Sequence, residues 1–308
     1  MLSFMIEFHR KMLADAGRNA AFVKALKKLI VPGKSVVADI GSGTGYLAFV
    51  AANLGAKECF LYETGEVLEL SKKIAQENGI KNCHFIRKHS ATVKTPPRAD
   101  IVISETLGNF ALEEHILENL HDAKRFLKPD GVMIPQKIRQ YVVPVTSDAI
   151  FREVQLWNDV DTKITFSAAK EMSVNNLYVR TIAQKDLYDG HDAVQQWDSI
   201  DLLGNGKSKR SGDVSWTMHA PETVHGFCLF WECDLLPGIT LSTSPTEPLT
   251  HWEQLFLPVP QPIVLKKGEL LSLKIQSDSS YNIGINVRWD VESPSGKWGM
   301  DMAKGHLN

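Results

Sequence analysis

The sequence of 308 residues has few cysteines and almost no excess of either charge. The four cysteines are Cys59, Cys83, Cys228 and Cys233. None belongs to a Cys-x-x-Cys pair, and in a chain of this length such cysteines predict free thiols in a reducing compartment. A formal net charge of −2 gives no general reason to expect nucleic-acid binding. The sequence therefore excludes a disulfide scaffold, and we expect no nucleic-acid partner.

The sequence also lacks a convincing set of metal ligands. The most favourable group consists of His219, His225, Cys228 and Cys233. The pattern from 224 to 235 predicts a strand, and residues five apart on a strand point to opposite faces. We therefore expect no zinc site.

Long uninterrupted apolar runs are absent as well. The N-terminal run is broken by charged residues from Glu7 onward and does not resemble a signal peptide. Residues 36 to 56 are mostly apolar or small but include Asp39 and four glycines, which favours a strand-loop-helix unit over a membrane span. We therefore expect a cytoplasmic protein without a membrane segment.

Strands and helices alternate in the first 135 residues. After a helix predicted over 5–29, the pattern predicts strands at 36–40, 58–63, 84–88, 101–104 and 132–134, and helices at 45–54, 66–78 and 112–127. Such alternation predicts a parallel, doubly wound sheet. We divide this half into an N-terminal helical segment, 1–33, and a Rossmann-like domain, 34–135.

The pattern changes after residue 135, where the apolar runs become short and alternate with polar residues. The predicted strands lie at 140–145, 214–218, 225–234, 263–266, 269–276 and 281–291. Short alternating strands separated by Pro, Gly and Ser predict an antiparallel β domain over 136–308, built as a barrel or a sandwich. Two polar-rich insertions, 150–157 and 175–198, are predicted to be helical.

The first turn from strand to helix carries an acid and three closely spaced glycines. Asp39 precedes Gly41, Gly43 and Gly45, and Glu63 ends the next predicted strand. Glycines let a backbone turn sharply and approach a ligand, and the following helix presents amide donors. The spacing differs from the G-x-G-x-x-G of dinucleotide enzymes and resembles motif I of Rossmann-like S-adenosylmethionine methyltransferases. The alternatives are an ordinary tight turn and a nucleotide dehydrogenase.

A second loop places two carboxylates nine residues apart, on either side of Gly108. Glu105 follows a predicted buried strand, and Glu114 stands beside Glu113 before a predicted helix. Two carboxylates aimed at one point suit a guanidinium, which is planar, always charged and has five donors in a fixed fork. The alternative is an acidic helix start, where Glu113 and Glu114 only favour the helix dipole.

Three segments together carry a resemblance to protein arginine methyltransferases. Ser104–Glu114 resembles the double-glutamate loop of that family, Thr250-His251-Trp252 resembles its threonine-histidine-tryptophan loop, and His9–Arg18 is similar to its helix before motif I. With the glycine loop, these motifs stand in the family's order over roughly residues 8 to 290. The resemblance implies a Rossmann-like α/β domain followed by an antiparallel β barrel, and S-adenosyl-L-methionine as the methyl donor.

The resemblance also implies roles for individual residues. Glu105 and Glu114 match the pair that holds the substrate guanidinium, and His251 with Asp15 matches a histidine–acid couple that orients the loop or takes a proton. Arg18 matches the arginine that pairs with the carboxylate of the cofactor, and Glu63 the ligand of its ribose. The remaining predicted cofactor-binding residues are Asp39, Gly41, Gly43, Gly45 and Ser90, the last standing where the family often has a glutamate for the adenine.

The chain departs from the family in its substrate loop and at its start. Thr106 replaces the usual tryptophan, Leu107 a methionine and Asn109 a common aromatic residue. The family's Tyr-Phe-x-x-Tyr lid has no counterpart in Met1–Ile6. These changes affect the predicted substrate site and leave the predicted glycine loop intact.

The expected function is methyl transfer to the guanidinium of an arginine-containing protein. The alternatives are a small guanidine or another amine as substrate, and a cofactor-binding scaffold with little catalysis. The segment from 162 to 185 occupies the place of the family's dimerisation arm, which implies a homodimer; the alternative is a helical excursion packed on its own chain.

Overall fold

The computed structural model describes residues 2–160, 163–280 and 283–306, without the side chains of residues 2–5. It begins with two helices, α1 (Leu2–Ala14) and α2 (Ala16–Leu29), where the sequence predicted one. The break lies at Asp15, which has extended backbone angles (φ −74°, ψ 95°) and accepts a hydrogen bond from the Arg18 amide. Asp15 is thus the N-cap of α2. Gly17 lies inside α2.

Five parallel strands form the first sheet, in the order β3-β2-β1-β4-β5. They are β1 (Val36–Ile40), β2 (Glu58–Tyr62), β3 (Cys83–Ile86), β4 (Ala99–Ile103) and β5 (Leu127–Ile134). The predicted parallel sheet is confirmed. Because the order reverses between β1 and β4, the carboxyl ends of these two strands border a crevice, where open α/β sheets bind ligands.

Three helices connect these strands: α3 (Tyr46–Asn53), α4 (Val67–Glu77) and α5 (Ile116–Ala123). The helix predicted over 112–127 is wrong in its extent, because Glu114 and His115 have left-handed backbone angles, with φ of 55° and 57°. The interpretation of Glu113 and Glu114 as a helix start is therefore not what the structure shows. Both residues stand before α5, in a separate short turn.

The second half consists of two antiparallel sheets. One has the order β7-β12-β10-β6-β8, with β11 beside β10, and the other has the order β15-β14-β13-β9. The strands are β6 (Lys137–Val145), β7 (Tyr178–Arg180), β8 (Gln195–Asp201), β9 (Lys209–Thr217), β10 (Glu222–Leu236), β11 (Ile239–Ser242), β12 (Gln254–Leu265), β13 (Leu270–Asp278), β14 (Asn286–Ser293) and β15 (Gly296–Asp301). The predicted antiparallel β region is confirmed.

Two insertions in this region differ from each other. The first is helical as predicted and contains α6 (Asp148–Val154). The second, 175–198, is not helical, because β7 and the start of β8 lie inside it. The buried residues of β8 are Trp197, Asp198 and Ile200. Because one of them is charged and the two apolar ones are three residues apart, the sequence shows no apolar alternation that would indicate a strand. Helix α7 (Ser167–Val174) precedes this insertion. Residue 162 of the predicted arm and residues 281 and 282 of the predicted strand lie outside the described residues.

Helix α2 joins the two halves, since it packs against β10 and β11 while its N-terminus faces the end of the parallel sheet. Among the described residues, no helix is long and apolar enough to cross a membrane. The carboxyl ends of β1, β2 and β4 thus meet α1, the start of α2 and the loop before β12.

Candidate active site

A cavity of about 520 Å³ opens at this junction. Nine of the eleven predicted site residues line it: Arg18, Asp39, Gly41, Gly43, Glu63, Ser90, Glu105, Glu114 and His251. The other two stand behind the wall, since Asp15 bonds His251 and Gly45 is the N-cap of α3. The structure therefore brings together residues that are more than 230 positions apart in the sequence.

The glycine loop forms one wall of the cavity in a conformation that favours glycine. Gly41 and Gly43 have φ of 70° and 51°, in the left-handed region. A Cβ atom on Gly41 would lie 2.9 Å from the Thr106 methyl carbon, and one on Gly43 would lie 2.8 Å from a ring carbon of His9. The glycine loop is therefore in close contact with both the loop 105–114 and α1.

Two carboxylates hold this loop in place. Asp39 is buried and accepts a hydrogen bond from the Ala48 amide at 3.2 Å. Burial raises the pKa of Asp39 to about 7, although that hydrogen bond opposes the shift. Glu63 accepts from the amides of Gly43 at 3.0 Å and Gly65 at 2.7 Å. Asp39 thus braces the base of the loop, while Glu63 stands at its rim.

Arg18 and Glu105 form a buried ion pair across the cavity. The Arg18 Nε donates to Glu105 Oε2 at 2.8 Å, and a terminal nitrogen of the same guanidinium donates to the same oxygen. Both side chains are less than 5% exposed. The other Glu105 oxygen accepts from the Leu107 amide at 3.3 Å. The arginine expected to pair with a ligand carboxylate therefore pairs with a carboxylate of the protein.

Glu114 presents its carboxyl to the open part of the cavity from a left-handed backbone. Its carbonyl accepts from the Asn119 side chain at 2.9 Å, which ties the turn to α5. The pKa of Glu114 is raised to about 7, first because the surrounding walls desolvate the carboxyl and then because three other carboxylates lie nearby. The nearby groups are Glu105, Glu113 and Glu63.

The loop between the two glutamates is attached to the β region. Trp252 Nε1 donates to the Leu107 carbonyl at 2.7 Å, and Trp231 Nε1 lies 3.2 Å from the carbonyls of Gly108 and Asn109. In the opposite direction, Asn109 Nδ2 donates to the Trp252 carbonyl at 2.5 Å. Both indoles are buried. The loop 105–114 therefore takes its position from side chains of the other half of the molecule.

His251 is held by Asp15 through two hydrogen bonds. Its Nδ1 lies 2.9 Å from Asp15 Oδ2, and its backbone amide donates to the same oxygen at 3.0 Å. Burial raises the pKa of Asp15, but the hydrogen bonds from the His251 ring, the Arg18 amide and the His251 amide outweigh it and lower the pKa to about 2. One acid thus caps α2 and fixes the histidine at the cavity wall.

Two further residues at the cavity were missed from the sequence. His9 Nδ1 and Tyr62 Oη are buried and have no hydrogen-bond partner within the described part of the chain. Burial lowers the pKa of His9. His9 stood inside the quoted motif, and its place nine residues before Arg18 was the available signal; nothing distinguished Tyr62 from a core residue. Both atoms are enclosed by protein, so the two residues meet the cavity through their other atoms.

Away from this cavity, the described residues contain no group of three or more His, Cys, Asp or Glu side chains placed to hold a metal ion. Cys228 and Cys233 of the rejected zinc group are buried in β10.

Two family models match the chain. The arginine methyltransferase oligomerization subdomain matches residues 137–294, more than half of the chain, and a methyltransferase domain matches residues 33–196. Among curated relatives, protein arginine N-methyltransferase 2 of Xenopus tropicalis is 27% identical over 305 residues, which are 93% of this chain and 70% of the relative. Arginine N(omega)-methyltransferase of Streptomyces achromogenes subsp. streptozoticus is 29% identical over 296 residues, 90% of this chain and 78% of the relative.

Solved structures show the same fold. The Trypanosoma brucei PRMT1 enzyme-prozyme heterotetrameric complex with AdoHcy superposes with a TM-score of 0.82 at 23% identity, over 95% of this chain and 96% of that one. Arabidopsis thaliana protein arginine methyltransferase 10 superposes with a TM-score of 0.76 at 20% identity, over 96% and 97%. At these identities the likeness concerns the arrangement of both halves, including the order of the α/β and antiparallel parts.

Proposed function

The chain belongs to the protein arginine methyltransferase family, and from this premise we propose that it transfers a methyl group from S-adenosyl-L-methionine to a guanidinium nitrogen of arginine. One observation carries the proposal. Glu105 and Glu114, from the two ends of one loop, line the same cavity as the glycine loop. A guanidinium between the two carboxylates would therefore lie beside the methyl donor.

The cofactor would lie along the cavity wall that the glycine loop, 41–45, forms. Gly41, Gly43 and Gly45 give its amino-acid part close access to the backbone, and the acceptor-only carboxylate of Glu63 suits a ribose diol. When bound, S-adenosyl-L-methionine supplies an activated methyl group. The related structure named as a complex with AdoHcy supports the same class of cofactor.

Arg18 and Ser90 would complete this site, at the carboxylate and the base of the cofactor respectively. The ion pair between Arg18 and Glu105 leaves both side chains able to form further hydrogen bonds. A carboxylate has about four lone-pair positions, and a guanidinium has five donors. Glu105 therefore keeps acceptor capacity for a substrate, and Arg18 keeps donors for a carboxylate. The pair also prevents Glu105 from being a buried charge without a partner.

Glu114 and His251 would act on the substrate nitrogen. The guanidinium nitrogen that accepts the methyl group gives up one proton. A group with a pKa near the working pH is suited to take that proton. The raised pKa of Glu114, about 7, supports this role. His251 is fixed through Nδ1 and its amide by Asp15, which supports orientation of the loop as the first task of that couple. The two glutamates mainly position the guanidinium.

Labelled methyl transfer tests the proposal. We offer the protein S-adenosylmethionine with a labelled methyl group and four acceptors: an arginine-rich peptide, the same peptide with every arginine replaced by lysine, free arginine and a simple alkylguanidine. Incorporation into the arginine peptide but not its lysine partner, recovered as methylarginine after hydrolysis, is the expected result. Incorporation into the lysine peptide would contradict the guanidinium assignment.

The same assay separates protein from metabolite substrates. One relative is named for protein arginine and another for arginine itself, so a free-arginine rate above the peptide rate would assign the site to a small guanidine. A scaffold is the third outcome. It requires tight binding of S-adenosylhomocysteine by calorimetry together with no labelled product from any of the four acceptors.

We further propose that the chain forms a homodimer through the segment around its predicted arm. Leu156, Trp157 and Val160 are 60%, 39% and 44% exposed, just before the arm region 162–185. The matched family model is described as an oligomerization subdomain, which supports this assignment. Sedimentation velocity would show a dimer that Trp157→Asp disrupts, whereas Leu203→Asp, at another exposed apolar site, leaves it intact. A monomeric parent protein would refute the dimer.

The division of the chain into 1–33, 34–135 and 136–308 is proposed as a division of tasks between helical cover, cofactor site and substrate wall. We also propose a cytoplasmic location, which the four free thiols support. Fluorescence microscopy of a tagged protein in its native cell tests the location.

A further inference from the structure

We infer that Asn109 is a positioning residue that fixes the guanidinium loop, 105–114, against the histidine loop, 250–253. The inference rests on the proposed function of the two glutamates in the first loop. It concerns the side chain that stands where the family commonly has an aromatic residue, and the evidence for it is a closed set of hydrogen bonds around the cavity.

The first part of this evidence is a reciprocal contact between the two loops. Asn109 donates its side-chain amide to the Trp252 carbonyl at 2.5 Å, and the Trp252 indole donates to the Leu107 carbonyl at 2.7 Å. The two bonds run in opposite directions within a span of three residues on one loop. Two such bonds fix the separation and the relative tilt of the loops, which one bond would not.

The second part of the evidence is the connection from Trp252 back to Glu105, the first of the two glutamates proposed to hold the guanidinium (the guanidinium clamp). Trp252 follows His251, which Asp15 holds through its ring and amide; Asp15 also accepts from the Arg18 amide at 2.9 Å. The Arg18 guanidinium then bonds Glu105, at the start of the guanidinium loop. The contacts form a closed ring from Glu105 through α2 and the histidine loop to Asn109, and we call it the clamp ring.

The guanidinium loop has little structure of its own to replace this ring. Residues 104–108 have no helix or strand assignment. Within the loop, the Leu107 amide bonds the Glu105 side chain at 3.3 Å, and the Glu113 amide bonds the Phe110 carbonyl at 2.9 Å. The carbonyls of Leu107, Gly108 and Asn109 instead accept from indoles of the β region.

The amide of Asn109 is the member of the ring that can be removed with least damage to the fold. The residue is half-buried, whereas both indoles are buried and belong to the core. Its loss would leave Trp252 in place and free the loop to shift by a fraction of an ångström. Methyl transfer depends on the position of the acceptor nitrogen and is therefore sensitive to such a shift. The glycine loop, 41–45, has no hydrogen bond to the Asn109 side chain, so we expect cofactor binding to be unaffected.

The test compares Asn109→Ala and Asn109→Asp with Asn109→Gln. Ala removes the donor, Asp keeps the shape but places a carboxylate against the Trp252 carbonyl, and Gln keeps an amide donor on a longer side chain. Asn78→Ala is the matched control, because Asn78 also donates its amide to a backbone carbonyl, Ile74 at 2.8 Å, but on α4. For each protein we measure kcat and KM for the arginine substrate, the affinity for S-adenosylhomocysteine and hydrogen exchange of the backbone.

The expected result is a kcat about 10-fold lower for Asn109→Ala and lower still for Asn109→Asp, with partial recovery in Asn109→Gln. Cofactor affinity stays within about twofold of the parent protein. Amide exchange rises together in 105–114 and in 250–253 and is unchanged at 41–45. Asn78→Ala changes none of these quantities.

Exchange that rises only in 105–114, or a loss of cofactor affinity equal to the loss of kcat, would overturn the inference and assign Asn109 an ordinary structural role. The exchange measurement does not require activity. If the parent protein methylates no acceptor, the proposed function fails, and joint or separate exchange of the two loops still decides whether Asn109 couples them.

Discussion

Two walls of the cavity are built in different ways. The cofactor wall consists of the glycine loop, 41–45, with Glu63, and the guanidinium wall consists of the loop 105–114 with Arg18. In the cofactor wall, the hydrogen bond from Gly43 to Glu63 joins residues 20 apart in one α/β unit. In the guanidinium wall, Arg18 and Glu105 are 87 residues apart, and Asn109 and Trp252 are 143 apart. The glycine loop and Glu63 therefore belong to one α/β unit, whereas the guanidinium wall needs both halves of the molecule.

The sharpest way to separate the walls is Glu114→Gln. The variant keeps the shape of the side chain but removes one of the two charges that hold a guanidinium. We expect kcat/KM for arginine to fall about 1,000-fold, because electrostatic groups at the reacting centre have effects of this size. Calorimetry with S-adenosylhomocysteine should show an affinity within about twofold of the parent protein. Substantial remaining activity would remove Glu114 from the clamp.

The opposite result is expected from Gly43→Ala in the cofactor wall. A left-handed alanine costs about 1 kcal/mol, and the new Cβ would lie 2.8 Å from the His9 ring. We expect cofactor affinity to fall about 10-fold, with kcat restored at saturating cofactor. Gly79→Ala is the control, since Gly79 has φ of 66° with no atom within 4 Å of a new Cβ. If the control weakens binding equally, the effect is a general loss of stability.

The same contrast explains how much the sequence predicted. Gly41, Gly43 and Glu63 follow adjacent strand ends, so strand periodicity and local turn chemistry placed them correctly beside one another. The tether of Asn109 to Trp252 depends on how the second half docks, and the tether of Arg18 to Glu105 depends on how α2 packs over the parallel sheet. No local pattern encodes either arrangement. The break at Asp15 was missed because the apolar period continues through it. Strand β8 was missed because its two buried apolar residues, Trp197 and Ile200, are three positions apart and its third buried residue is the charged Asp198.

A third prediction uses pH to distinguish the walls. A carboxyl group with a raised pKa is protonated below that pKa, and the clamp requires the carboxylate. Because the pKa of Glu114 is raised to about 7, kcat/KM should rise with pH and be about 10-fold lower at pH 6 than on its plateau. A contribution from Asp39 would instead appear in cofactor affinity. A flat kcat/KM profile from pH 6 to pH 8 would contradict the role of Glu114.

A smaller effect is expected from Asp15→Asn, on stability. The folded pKa of Asp15, about 2, lies below its ordinary value of 3.8, so the carboxylate stabilises the fold above pH 4, and this contribution is lost as the pH falls through the folded pKa. The shift corresponds to about 2 kcal/mol at pH 7. Asparagine retains the N-cap acceptor. Urea unfolding should therefore show a difference from the parent protein that shrinks between pH 4 and pH 2.5.

An Asp-to-Asn substitution at Asp39, beside the glycine loop, should change the free energy of unfolding with the opposite dependence on pH. Burial raises the pKa of Asp39 to about 7, so the folded protein binds that proton more tightly and loses stability as the pH rises from 4 to 7. Asp39→Asn should remove this loss. A constant difference from the parent protein at every pH, for either variant, would show that the charge of that acid does not affect stability.

The smallest predicted effect concerns Ser90, where the cofactor wall itself departs from the family. One neutral hydrogen bond contributes about 0.5–1 kcal/mol, so Ser90→Ala should weaken S-adenosylhomocysteine binding by about two- to fivefold in calorimetry. The backbone of this turn is held independently, since Arg125 donates to the Ser90 carbonyl at 2.7 Å. Thr92→Ala is the matched control, because its hydroxyl already donates to the His89 carbonyl at 2.8 Å. If Thr92→Ala weakens S-adenosylhomocysteine binding and Ser90→Ala does not, recognition of the base depends on the shape of the turn and not on the Ser90 hydroxyl. The cofactor wall would then also depend on backbone geometry at its outer end.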